Sequence, residues 1–124
     1  MTDQDTILLV DDDPEIDRLL GDFLGGEGYE VIVAGSCGEG RRRLGARPFG
    51  LVLLDLTLPD GDGLSLMHEP PRPDAPPEFV IVTGHATLDT AIKAVEGGAA
   101  GYVNKPVDFA RLTTSSSGCS TAAG

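Results

Sequence analysis

Apolar residues recur along this chain in two alternating patterns. Short, largely apolar runs at Ile7 to Val10, Tyr29 to Ala34, Leu51 to Leu54, Phe79 to Thr83 and Gly101 to Asn104 have the length and composition of buried strands. Between the first two, Ile16, Leu19, Leu20, Phe23 and Leu24 fall at i, i+3, i+4, i+7 and i+8, which puts them on one face of a helix. Asp13 is placed to cap that helix, with Pro14 at its first position, Glu15 and Asp17 in its first turn, and Gly25, Gly26 and Gly28 at its end. Ser36 caps a second, weaker helix over Gly38 to Ala46, where glycines lower the propensity and Arg41, Arg42 and Arg43 form a solvated basic face. A third helix begins at Leu64, but Pro70, Pro71, Pro73, Pro76 and Pro77 limit it to about one to two turns. Leu88, Ala91, Ile92 and Val95 mark the stripe of a fourth, supported by the pair Asp89 and Lys93 and stopped by Gly97 and Gly98.

Strands alternating with helices predict an α/β fold with a doubly wound, five-stranded parallel sheet. Asp108 to Leu112 reads as the first turn of a fifth helix, yet nothing continues its apolar stripe: from Thr113 onward the chain is serine, threonine, glycine and alanine, with little to bury. The predicted organisation is one domain over 6–112, with a shortened third and a truncated fifth helix, followed by a disordered low-complexity tail over 113–124. A fifth helix this short leaves one flank of the sheet poorly covered and favours self-association.

Composition narrows the function classes. The 124 residues suit one domain, and 20 acidic against 9 basic residues give a formal net charge of −11, which opposes direct binding to nucleic acid and to anionic membranes. No apolar stretch is long enough to cross a bilayer, and Met1 to Asp5 are polar and acidic where a signal peptide is basic and then apolar, so a cytoplasmic location is expected. Cys37 and Cys119 are far apart with no metal-ligand spacing around them, and both read as bystanders. His68 and His85 are isolated, and each reads as an exposed loop or helix-end residue.

The polar residues that carry chemistry sit at strand ends. Asp11, Asp12 and Asp13 follow the first strand, Asp55 the third, Thr83 the fourth and Lys105 the fifth, and ligands of open parallel sheets bind outside the carboxyl ends of the strands. Taken singly, an aspartate there starts a turn, Thr83 is a β-branched strand residue and Lys105 a surface lysine. Together they put carboxylates, a hydroxyl and an ammonium in one crevice. Asp11 and Asp12 attract a hard divalent cation, and all-oxygen donors without histidine or cysteine favour Mg²⁺ over Zn²⁺. Beside them Asp55 is a candidate nucleophile for phosphoryl chemistry. Pro59, Gly61 and Gly63 give a tight loop that lets backbone carbonyls reach the metal. The Lys105–Pro106 bond is a candidate for the cis form, which turns the ammonium back toward the site. There is no Gly-x-x-x-x-Gly-Lys loop, no Gly-x-Gly-x-x-Gly and no serine at a nucleophile elbow.

These segments resemble the receiver domains of two-component response regulators. The resemblance rests on Leu-Leu-Val-Asp-Asp-Asp-Pro at 8–14, Leu-Leu-Asp-Leu-Thr-Leu-Pro-Asp-Gly-Asp-Gly at 53–63, Val-Thr-Gly-His-Ala at 82–86 and Gly-Tyr-Val-Asn-Lys-Pro at 101–106. The Thr-Gly-His-Ala stretch is similar to receivers of the nitrogen-regulation class of enhancer-binding activators. The resemblance implies a flavodoxin-like sheet of order 2-1-3-4-5. It also implies a phosphorylation-controlled signalling switch rather than a turnover enzyme, one that promotes only its own phosphorylation and dephosphorylation. Asp55 would accept a phosphoryl group from a sensor histidine kinase or phosphotransfer protein. Asp12, Asp55 and the backbone carbonyl of Thr57 would hold Mg²⁺, and Asp11 would complete the pocket through water. Thr83 and Lys105 would bind the new phosphate oxygens, and Tyr102 would swing inward as Thr83 moves. Homodimers are implied through the face of the fourth and fifth helices and the fifth strand. Two alternatives stand beside this reading: a haloacid-dehalogenase-like phosphatase, which also uses an aspartate nucleophile with Mg²⁺, and a docking module that works without phosphorylation.

Overall fold

The five apolar runs become the strands of a single parallel sheet in the computed structural model, which describes residues 5–68, 76–84 and 87–105. These strands are β1 (Thr6–Val10), β2 (Glu30–Ala34), β3 (Leu51–Leu54), β4 (Glu78–Thr83) and β5 (Gly101–Asn104). They lie in the order β2-β1-β3-β4-β5, the flavodoxin-like order 2-1-3-4-5. Alternate side chains enter opposite layers: Leu8, Val10, Val52, Leu54 and Ile81 fill one, and Ile7, Leu9, Leu53, Val80 and Val82 the other. Both faces of the central strands are covered, which is why these runs are continuously apolar instead of alternating.

The helices α1 (Pro14–Gly26), α2 (Cys37–Ala46), α3 (Leu64–His68) and α4 (Leu88–Glu96) connect the strands. Leu20 and Leu24 of α1 pack in the layer of Ile7 and Leu9, while Leu44 of α2, Leu66 and Met67 of α3 and Ala94 of α4 pack in the layer of Leu8 and Val10. The capping signals act as expected. Asp13 accepts from the Glu15 N–H at 3.0 Å, and Ser36 Oγ accepts from the Glu39 N–H at 3.1 Å. The weak α2 has further support, because the Asp60 carboxylate accepts from the N–H groups of Cys37 and Gly38 at 2.8 and 2.9 Å. These are donors that a helix leaves unpaired in its first turn. A Cβ on Gly40 would stand 3.1 Å from Leu66 Cδ1 and 3.3 Å from Val10, so glycine there permits the close seat of α2.

Two findings modify the sequence reading. Between β3 and α3 the loop contains a small antiparallel hairpin, Thr57–Leu58 paired with Gly61–Asp62. The apolar stripe of α4 does not enter the core: Leu88, Ile92 and Val95 are 78, 49 and 74% exposed. Its partly or fully buried positions are instead the small residues Thr90, Ala91, Ala94 and Gly97. The reason is close packing at its carboxyl end, where a Cβ on Gly97 would lie 2.5 Å from Met67 Cε and 2.7 Å from His68 Nε2. The continuation of α3 past His68, the fifth helix, the tail and the Lys105–Pro106 bond lie outside the described residues.

Candidate functional site

Sheet hydrogen bonding extends one residue past three of the strands and fixes the site's backbone. The Asp11 N–H donates to Ala34 O at 3.0 Å, the Asp55 N–H to Val10 O at 2.9 Å and the Lys105 N–H to Thr83 O at 2.9 Å. Residues that leave the ladder at neighbouring strand ends emerge at one rim. Asp11, Asp55 and Thr83 are buried there, while Asp12 faces solvent.

Lys105 Nζ stands 2.8 Å from Asp11 Oδ2 and 3.2 Å from Asp55 Oδ2. The contact with Asp11 is a close ion pair. The other carboxylate oxygens meet backbone donors: Asp11 Oδ1 accepts from the Asp13 N–H at 2.9 Å, and Asp55 Oδ1 from the Thr57 N–H at 3.2 Å. Oxygens of Asp11, Asp12 and Asp55 lie within 4.8 Å of one another.

One ammonium does not neutralise this mouth. Burial pushes Asp11 above the ordinary carboxylate range and the Lys105 ammonium only partly restores it. Burial also disfavours the charge on Lys105, but Asp11 and Asp55 outweigh it and hold the ammonium above the ordinary lysine value. Among the described residues, three clustered carboxylates with a single cationic partner and oxygen donors alone fit a hard divalent cation.

The sequence matches the response regulator receiver domain family over residues 7–116. The chain belongs to that family. The receiver is 40% identical over 107 residues to the response regulator protein PilR of Pseudomonas aeruginosa, covering 85% of this chain and 24% of that protein. It thus spans about a quarter of the length of the first curated relatives it matches. A response regulator of Burkholderia pseudomallei, solved with a phosphorylated aspartic acid, a calcium ion and citrate, superposes with a TM-score of 0.82 at 30% identity, over 93% of this chain and 68% of that one. The beryllofluoride-activated NtrC4 receiver domain dimer gives 0.83 at 30% identity, over 94% and 97%. That neighbour agrees with the likeness to nitrogen-regulation receivers seen at Thr83 to Ala86.

The receiver fold thus brings together Asp11, Asp12, Asp55 and Lys105. Thr83 ends β4, fully buried, and Thr57 begins the hairpin two residues past Asp55. Tyr102 lies in β5 opposite Ile81, with its hydroxyl 2.7 Å from Thr90 Oγ1. A Cβ on Gly63 would collide with the Asp55 carbonyl oxygen, so the hairpin closes against the backbone of Asp55 itself. His68 is exposed at the end of α3, while His85, Pro106 and Cys119 fall outside the described residues. No helix among the described residues is long and apolar enough to cross a membrane.

One contributor was read from sequence only as a first-turn acid. Asp17 in α1 has a buried Oδ1 without a hydrogen-bond partner. Burial, then the charges of Asp11, Asp13 and Asp12, push its pKa from 3.8 to about 7. The legible signal was its spacing, one helical turn beyond Asp13, which aims it back toward the strand mouth.

Proposed function

We propose that this receiver is a phosphorylation-controlled switch in which Asp55 takes a phosphoryl group from the phosphohistidine of a sensor histidine kinase or phosphotransfer protein. The observation that carries this reading is the placement of Asp55: buried, 3.2 Å from the Lys105 ammonium, and within one carboxylate cluster with Asp11 and Asp12. An Asp55 oxygen attacks phosphorus in line with the P–N bond; the P–O bond forms, the P–N bond breaks, and its electron pair leaves with the imidazole. Lys105 pairs with a phosphoryl oxygen as that charge arrives, and the Thr83 hydroxyl donates to another. Asp12, Asp55 and the Thr57 carbonyl would hold Mg²⁺, with Asp11 acting through water. Bound there, the ion neutralises charge on the phosphoryl oxygens.

The product is a modified side chain, so the chemistry ends in a state and not in turnover. Phosphate on Asp55 favours an arrangement in which Thr83 moves toward it and Tyr102 turns inward. We place self-association on the exposed Leu88, Ile92 and Val95 of α4, where sedimentation of the phosphorylated chain should show a dimer that Ile92→Glu abolishes. The phosphatase alternative lacks its second acid, because the position two past the nucleophile is Thr57, whose N–H bonds Asp55.

Incubation with acetyl phosphate and Mg²⁺ should add one phosphoryl group to the intact mass of the wild type and none to Asp55→Asn. An unchanged wild-type mass beside a receiver that does label refutes the proposal. Hydrolysis of a phosphomonoester over many equivalents would restore the phosphatase reading.

A further inference from the structure

The first turn of α4 holds the tyrosine of β5 through one hydroxyl. Thr90 Oγ1 is 2.9 Å from the Thr87 nitrogen, 3.0 Å from the Thr87 carbonyl oxygen and 2.7 Å from Tyr102 Oη. A threonine hydroxyl has one proton and two lone pairs. The carbonyl of Thr87 can only accept: it takes the Ala91 N–H at 3.0 Å and is also within reach of the Thr90 proton. One lone pair receives the Thr87 N–H, and between Thr90 and Tyr102 either hydroxyl can be the donor. Thr87 Oγ1, 3.1 Å from Thr90 Oγ1, accepts in turn from the Thr90 N–H at 3.1 Å. The two threonines form a reciprocal cap, so the position of Thr90 Oγ1 is set by the first turn of the helix.

We infer that Thr90 is a positioning residue for Tyr102, holding its hydroxyl against the first turn of α4 in the unphosphorylated chain, so that the orientation of the tyrosine and the cap of the helix change together. The inference rests on the switch reading above for its functional meaning, but the contact itself belongs to the resting chain. Turning Tyr102 inward breaks its bond to Thr90. Unwinding the Thr87–Thr90 turn, conversely, removes the hydroxyl that holds Tyr102. Coupling of this kind is reciprocal by linkage. It gives movement at the end of β4 a route to the helix whose exposed apolar stripe we place at an interface. Thr90 is half-buried on the inward side of α4, one and two turns before Ala94 and Gly97, and its bond to Tyr102 is partly shielded from solvent.

The chain contains two tyrosines and no tryptophan, so Tyr29→Phe leaves Tyr102 as a single reporter. Fluorotyrosine NMR of that background, without phosphate donor, reads the populations of its orientations. Thr90→Val should move the ratio about fivefold toward the second orientation, the effect of one ordinary net hydrogen bond, and Thr90→Ser should restore it. Tyr102→Phe keeps both cap threonines, and its loss of the hydroxyl that bonds Thr90 should speed amide exchange in the Thr87 to Ala91 turn. Identical fluorine spectra for wild type, Thr90→Val and Thr90→Ser overturn the inference, as does unchanged exchange in Tyr102→Phe. Because both readings use unphosphorylated protein, failure of Asp55 to label would sink the switch and leave this contact standing.

Discussion

Asparagine at Asp17 should stabilise the receiver at neutral pH and leave it unchanged in acid. Burial and the neighbouring charges of Asp11, Asp13 and Asp12 carry this carboxyl from 3.8 to about 7 in the fold. Below about pH 3.8 the folded and unfolded chains both hold the proton, and Asp17 has no effect on the balance. Between about 3.8 and 7 the unfolded chain ionises and the folded one does not, so stability falls as pH rises. Above about 7 the full cost is present and constant. About three units at roughly 1.4 kcal/mol each set a ceiling of about 4 kcal/mol, and solvent screening around this half-exposed side chain reduces it to about 1–2 kcal/mol. The asparagine amide removes the charge and provides a donor toward the surrounding carboxylates. Urea unfolding with chelator present, followed across pH 4 to 8, should show the gain of Asp17→Asn rise from near zero to about 1–2 kcal/mol. Saturating Mg²⁺ should shrink that gain, because a cation in the mouth opposes the charges of Asp11 and Asp12. A variant no more stable than wild type at pH 7.5, or a gain independent of pH, refutes the argument.

Two other substitutions probe the mouth and its backing. Lys105→Met removes the ammonium that bridges Asp11 and Asp55 and should cost about 1–3 kcal/mol in chelator, with part regained on adding Mg²⁺; a thermal melt with and without the ion measures both. Gly63→Ala puts a methyl group against the Asp55 carbonyl and Leu54, so it should lose about 1–3 kcal/mol by denaturant titration and label more slowly with acetyl phosphate.

The strands, their parallel arrangement and the cluster at their carboxyl ends were legible in the sequence. Leu51 to Leu54 must be buried on both faces to be apolar throughout, and a polar residue ending such a run has to leave at the rim. Asp11, Asp55, Thr83 and Lys105 were therefore placed by the period of the chain and the connectivity of a parallel sheet. The caps Asp13 and Ser36 were equally local, since each bonds an amide two or three residues ahead.

Periodicity says which positions of a helix share a face, but not which face meets the core. Leu88, Ile92 and Val95 do form a stripe, yet tertiary packing turned it outward, because Gly97 admits Met67 and His68 at a distance no side chain would allow. The same holds for Thr90, whose bond to Tyr102 joins a helix to a strand, and for the burial that displaces Asp17, whereas the carboxylates that act on it, Asp11, Asp12 and Asp13, lie close by in sequence. Composition and spacing determined the strands, the helices and which polar residues gather at the rim; long-range packing decided how deeply each is buried and which faces remain open, since both depend on neighbours distant in sequence.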